Sequence, residues 1–144
     1  MDFRQRLAAE RPLWAVELRP PRRGVAAAVE PWIDMYHAVR RLIGSDTLVL
    51  TTDDAIGDRD EENLRHLSAN LGPDTDLSRV VPFLTTKHPL DHCLRFPERA
   101  LDSGHRASVI VGGDQHDGIA RCVPHASDLR GLLKEHHPGL ALGG

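Results

Sequence analysis

The sequence predicts an α/β protein of repeated βα units with parallel strands, and three observations carry that prediction. Five short apolar runs begin at Trp14, Thr47, Val80, Ala107 and Leu140, and so recur 33, 33, 27 and 33 residues apart. The stretches between them have the periodicity of amphipathic helices. No low-complexity segment or linker interrupts the pattern, which reads as a single α/β domain over residues 1–144. Strand and helix alternating at a near-constant period imply right-handed crossovers and a parallel sheet. Two closures fit. One is the first half of a TIM-type barrel, about four βα units plus a fifth strand, because a whole barrel takes roughly 250 residues. The other is an open flavodoxin-like doubly wound sheet, which five strands complete.

Each element has its own signal. The runs Trp14–Leu18, Thr47–Thr51, Val80–Leu84, Ala107–Val111 and Leu140–Leu142 have the length and much of the β-branched content of buried strands. In the first helical segment Trp32, Met35, Tyr36, Val39, Leu42 and Ile43 form one stripe, with Pro31 suited to a first turn and Gly44 to the stop. The second segment runs from Asp60-Glu61-Glu62, whose charges favour a helix N-terminus, through Leu64, Leu67 and Leu71 to Gly72-Pro73. The third carries Leu90, Cys93, Leu94 and Leu101, with Pro97 expected to kink or divide it. In the fourth, Ser127 is placed as an N-cap before Leu129, Leu132 and Leu133.

Composition narrows the function classes. Acidic residues number 21 against 18 basic, the net charge is -3, and no basic stripe stands out, so nucleic acid is not an expected partner. The longest unbroken hydrophobic run is five residues, Val25 to Val29, far short of a membrane span. The N-terminal residues lack the apolar core of a cleaved signal, which points to a cytoplasmic protein. Cys93 and Cys122 have neither zinc nor redox-motif spacing and read as reduced thiols.

In both closures the active groups belong just beyond the C-terminal ends of the strands. Glu17, a carboxylate inside the first apolar run, reads either as a buried acid paired with Arg19 or Arg22 or as a general acid whose pKa burial raises. Thr51 and Thr52 end the second strand. They offer hydroxyl donors to a ring nitrogen or phosphate, or serve β-propensity and local turn bonding. Thr85-Thr86-Lys87-His88 follows the third strand and offers a Lys and a His to an anion. Gly112-Gly113-Asp114 follows the fourth: the glycines permit close backbone approach to a planar or phosphorylated ligand, and Asp114 supplies a second carboxylate. The alternative is an ordinary glycine turn with an Asx residue. The nine histidines form no H-E-x-x-H or comparable ligand set, and no metal site is expected.

In order along the chain, these residues resemble the N-terminal half of the methylenetetrahydrofolate reductase family, a flavin-dependent α/β barrel. Glu17 with Pro20-Pro21 matches the family's strand-end Glu before Pro-Pro. Thr51 with Gly57-Asp58-Arg59-Asp60, Leu84-Thr85, Gly113-Asp114 and Ala126-Ser127-Asp128-Leu129 match four further motifs in register. The resemblance implies hydride transfer from reduced FAD to methylenetetrahydrofolate, giving 5-methyltetrahydrofolate, with NADH or NADPH reducing the flavin. It implies that Glu17 is the general acid that helps open the methylene bridge, and that Asp114 binds the pterin and tunes the flavin. It places Thr51 beside the isoalloxazine, and Gly113 and Ala126 in the FAD site. The chain departs from the family at Leu18-Arg19, where aromatic residues are usual, and at Phe83, in the place of a flavin-contacting His. It departs again at Gly112, in the place of a cofactor-contacting Arg, and at His125, in the place of a Tyr. The family's remaining FAD residues correspond to positions beyond Gly144. A half barrel leaves edge strands and interior apolar faces open, so self-association or a partner half that completes the barrel is expected. The alternative function is a non-catalytic half-barrel relative that binds a folate-like ligand or a partner protein.

Overall fold

The computed structural model describes residues 2–21, 29–52, 63–113 and 118–144. Helix α1 (Phe3–Ala8) precedes β1 (Ala15–Leu18), α2 (Val29–Gly44), β2 (Leu48–Thr51) and α3 (Asn63–Leu71). A 3-10 turn (Leu77–Arg79) leads into β3 (Val80–Thr85), followed by α4 (Leu90–Asp102), β4 (Ala107–Val111), α5 (Ala126–His136) and β5 (Ala141–Gly143). The five strands form one parallel sheet in the order β1-β2-β3-β4-β5. Each of the five apolar runs is a strand to within a residue or so, and the βα repeat stands as the sequence predicts.

The order of the strands and the side taken by the helices define the winding. Register pairs Val16 with Val49, Val49 with Val80, Leu84 with Ile110, and Ser108 with Leu142. Because side chains alternate across a strand, these residues share one face with Leu18, Thr51 and Pro82. The strand residues in the two hydrophobic clusters, Val49, Val80, Leu84 and Ile110, all belong to that face. Residues of α2 and α3 pack there in one cluster, and residues of α4 and α5 in the other. The sheet is therefore wound in one direction with its helices on one side, as in five successive strands of a βα barrel. A flavodoxin-like sheet runs 2-1-3-4-5 with helices on both faces; here β1 lies at an edge.

Pro82 stands in the middle of a central strand, a position from which proline is normally excluded because it cannot donate to a ladder. The pairing accommodates it. β3 pairs with β2 over Val80 to Pro82 and with β4 over Phe83 to Thr85, so Pro82 falls where the strand passes from one neighbour to the other. Its carbonyl accepts a hydrogen bond of 2.7 Å from Ser108 Oγ, a buried hydroxyl on β4.

Three local expectations need correction. Pro97 does not divide its helix; α4 runs unbroken through it. Cys93, Phe96 and Ala100 on that helix are fully buried in the core, and burial of such a face outweighs the roughly 3 kcal/mol that an interior proline costs. The N-cap of α5 is His125 rather than Ser127. Asp128 lies three residues on and its carboxylate accepts the His125 N–H at 3.1 Å, so the helix is capped two residues earlier than expected. Helix α1 was not foreseen, although its signal is present. Asp2 and Gln5 cap each other reciprocally, with the Gln5 N–H 2.8 Å from Asp2 Oδ1 and the Asp2 N–H 2.9 Å from Gln5 Oε1. The acids Asp60-Glu61-Glu62 lie outside the described residues.

Asp46, at the turn into β2, ties the N-terminal edge of the sheet together. Its φ of 60° is left-handed, a conformation Asp tolerates better than most residues. Its carboxylate takes Arg6 at 2.7 Å, Arg79 at 3.1 Å and Arg11 at 3.3 Å. The hydrogen bond from Arg6 holds the Asp46 carboxyl below its ordinary pKa. No helix among the described residues is long and apolar enough to cross a membrane.

Candidate functional site

The face opposite the helices carries Glu17, Leu50, Val81, Phe83, Thr85, Val109 and Val111, as the register requires: Glu17 pairs with Leu50, Leu50 with Val81, Phe83 with Val109, and Thr85 with Val111. Val81 and Thr85 are buried near its centre, while Leu50, Phe83, Val109 and Val111 keep partial exposure. Among the described residues this is an apolar wall with one carboxylate, Glu17, at its edge. In a closed barrel it would face the interior.

Glu17 is not buried. The burial expected from its apolar run fails because β1 is an edge strand: Ala15, Val16 and Glu17 are all exposed, and only Leu18 is half-buried. Among the described residues Glu17 makes no ion pair, so the pairing with Arg19 is absent, and Arg22 lies outside them. The carboxylate stands exposed at the open face, with no ion pair or hydrogen bond among the described residues to fix its orientation.

Thr51, which the resemblance sets beside the isoalloxazine, lies on the other side of the sheet from Glu17. It pairs with Leu18, one position beyond Glu17, and therefore lies on the helix side of the sheet. It is fully buried, and its Oγ1 has no hydrogen-bond partner among the described residues. Asp114, the other expected carboxylate, lies outside the described residues, as does the Gly57-Asp58-Arg59-Asp60 loop.

At the C-terminal end of β3 and β4 the backbone is drawn close. Thr86 N–H donates to Val111 O at 2.9 Å, Thr86 Oγ1 to Gly112 O at 3.1 Å, and Cys122 N–H to Thr86 O at 2.6 Å. Gly113 has a φ of +72°, and a Cβ there would lie 3.0 Å from Lys87 Cδ and Cε. Both conditions demand glycine, which gives the Gly-Gly pair a structural reason. Lys87 and His88 are buried beneath this turn, at 4% and 1% exposure. They do not form the open anion-holding pair that their sequence position suggested. The His88 and His92 rings lie 5.0 Å apart. Among the described residues no cluster of three or more His, Cys, Asp or Glu side chains could hold a metal.

Arg121 belongs to no sequence motif. Its guanidinium lies against Gly112, where a Cβ would be 3.0 Å from Arg121 Cζ, and Arg121 donates to Gly113 O at 3.0 Å. Its Nε is buried without a hydrogen-bond partner among the described residues. A guanidinium therefore lies against Gly112. It arrives from nine residues downstream in a loop without any motif. Ala126 opens α5 a few residues further on and is half-buried against the core. Gly112, Gly113 and Arg121 thus gather at the end of β4, while Ala126 packs against the core. Glu17 stands three strands away, roughly 14 Å along the sheet at the usual inter-strand spacing.

Fold and site together define a singly wound parallel α/β protein with an open apolar face, one exposed edge carboxylate and a glycine turn backed by a guanidinium. No family model matches the chain, and no curated protein matches it.

Proposed function

We propose that this chain is the N-terminal βα arc of a flavin-dependent oxidoreductase resembling methylenetetrahydrofolate reductase, reducing methylenetetrahydrofolate with FAD as the redox group. The observation that carries the reading is the position of Glu17. It is the one carboxylate among the described residues of the open face, near the C-terminal end of β1 and beside the half-buried apolar side chains of Leu50, Phe83 and Val109. The residues fit a flavin in part: Leu50, Phe83 and Val109 offer apolar surface, and the backbone at Gly112-Gly113 approaches closely without a Cβ. When bound, FAD would supply the hydride. Glu17 would donate a proton to a substrate nitrogen once covering surface excludes water. That cover would come from a second copy of the chain or from a partner half.

A second reading is a non-catalytic relative that binds a folate-like ligand or a partner through the same face. The burial of Thr51 on the helix side favours it, since the hydroxyl expected beside the flavin is turned away. An FAD titration read by flavin fluorescence separates the two. Saturable binding near one flavin per chain, with folate reduction lost in Glu17→Gln while flavin binding survives, supports the oxidoreductase. Absence of saturable binding at any oligomeric state refutes it and leaves the non-catalytic reading.

A further inference from the structure

A second cavity opens at the opposite, N-terminal edge of the sheet, away from Glu17 and the glycine turn. Its volume is about 380 Å³, within the range of small-molecule sites. Its walls come from α1, from the 3-10 turn that enters β3, and from the residues that enter β4 and β5. Arg4, Arg6, Arg79 and Arg106 bring four guanidinium groups to it, against the carboxylates of Asp2 and Asp76.

The N-terminal face of a barrel is ordinarily concerned with stability, and part of this cluster is. Arg6 and Arg79 pair with Asp46. Asp2 Oδ1 is committed to the Gln5 N–H, and Asp76 Oδ1 to the backbone and hydroxyl of Ser78, with Asp76 Oδ2 3.6 Å from Arg79 Nε. The other two arginines are held differently. Arg4 donates to Pro138 O at 2.7 Å, and Arg106 to Leu101 O at 3.3 Å and His105 O at 3.2 Å. Neither has a carboxylate partner among the described residues. A carbonyl satisfies an N–H but leaves the charge uncompensated. Four guanidinium groups around one cavity are thus met by three carboxylates, Asp46 included, in a chain whose net charge is -3.

We propose that this cavity binds a compact phosphate-bearing anion, with Arg4 and Arg106 as its direct donors and Arg6 and Arg79 as the fixed charge behind them. Guanidinium groups match phosphate oxygens bidentately, and several converging on one concavity give geometry as well as charge. Arg4 and Arg106 are both exposed, so their second donor edges reach solvent and removing them leaves the core intact. The proposal is independent of the reading given for Glu17 and the glycine turn, which lie at the other end of the strands.

The test uses inorganic pyrophosphate as the probe, titrated calorimetrically into the full chain at low salt, with Arg4→Gln, Arg106→Gln and, as a charge-matched control, Arg130→Gln on the exposed side of α5. Saturable binding to the wild type, weakened at least tenfold by each of R4Q and R106Q and unchanged in R130Q, is the expected result. Circular dichroism of each variant without ligand verifies that it is folded, and two separate variants guard against the failure of one. No saturable binding to the wild type overturns the proposal. So does an equal loss in all three variants, which would mean general attraction of charge.

Discussion

Replacing Thr51 by valine tests the placement of the strand residue that the structure turns away from the open face. Thr51 is fully exposed to protein and not to solvent: its relative exposure is 0%, and its Oγ1 has no hydrogen-bond partner among the described residues. A buried hydroxyl without a partner costs about 1–3 kcal/mol relative to one that keeps its hydrogen bond. Valine has nearly the same shape and puts a methyl where the hydroxyl stood. Its neighbours on that face, Val49 and Pro82, are apolar and buried. Thr51→Val should therefore stabilise the fold by about 1 kcal/mol, allowing for partial relaxation around the site. For a chain of this size that is a rise of roughly 2–4 °C in Tm. Denaturation in urea should show a higher midpoint at an unchanged slope. A loss of 1 kcal/mol or more in Thr51→Val would refute the reasoning, because it would mean that the hydroxyl has a partner. Flavin affinity gives a separate reading: a side chain on the helix side should leave it unchanged.

Two other outcomes follow from buried polar groups. His105 is fully buried, and burial lowers its pKa, the hydrogen bond to Val80 O at 2.8 Å opposing the shift only in part. A carbonyl can only accept, so Nδ1 carries a proton, and burial disfavours a second proton on Nε2. Below the ordinary histidine value of about 6.5 the unfolded chain takes up a proton that the folded chain refuses, so stability falls as pH drops through that window. The slope from this one group is at most about 1.4 kcal/mol per pH unit, and His105→Gln should remove it, as urea denaturation at a series of pH values would show; an unchanged slope would contradict the disfavoured second proton. Ser108→Ala deletes the buried bond to Pro82 O and should cost about 1 kcal/mol in the same assay, whereas a neutral result would mean that the Pro82 carbonyl is satisfied elsewhere.

Much of the architecture was legible in the residues. The apolar runs have strand length, the segments between them have helical stripes, and the near-constant spacing allows little but βα repeats. Gly44 and Gly72 mark helix ends because a helix C-terminus favours a residue without a Cβ. The site was less legible, for reasons that differ from residue to residue. The apolar run around Glu17 suggested burial, but β1 became an edge strand with its outer side open. Arg121 sits in no motif, and only the folded path of its loop brings it onto Gly112.

The sequence by itself determined where strands and helices occur, because backbone preference and hydrophobic period act over a few residues and need no distant partner. Tertiary structure alone decided which way the strand-end residues face. Glu17 and Thr51 both stand near the end of an apolar run, and the register that sets Glu17 beside Leu50 and Thr51 beside Leu18 puts their side chains on opposite sides of the sheet. A strand has two faces one residue apart. Which of them meets the helices depends on the pairing of strands and on the hand of the crossovers, and these arise only when segments far apart in the chain come together.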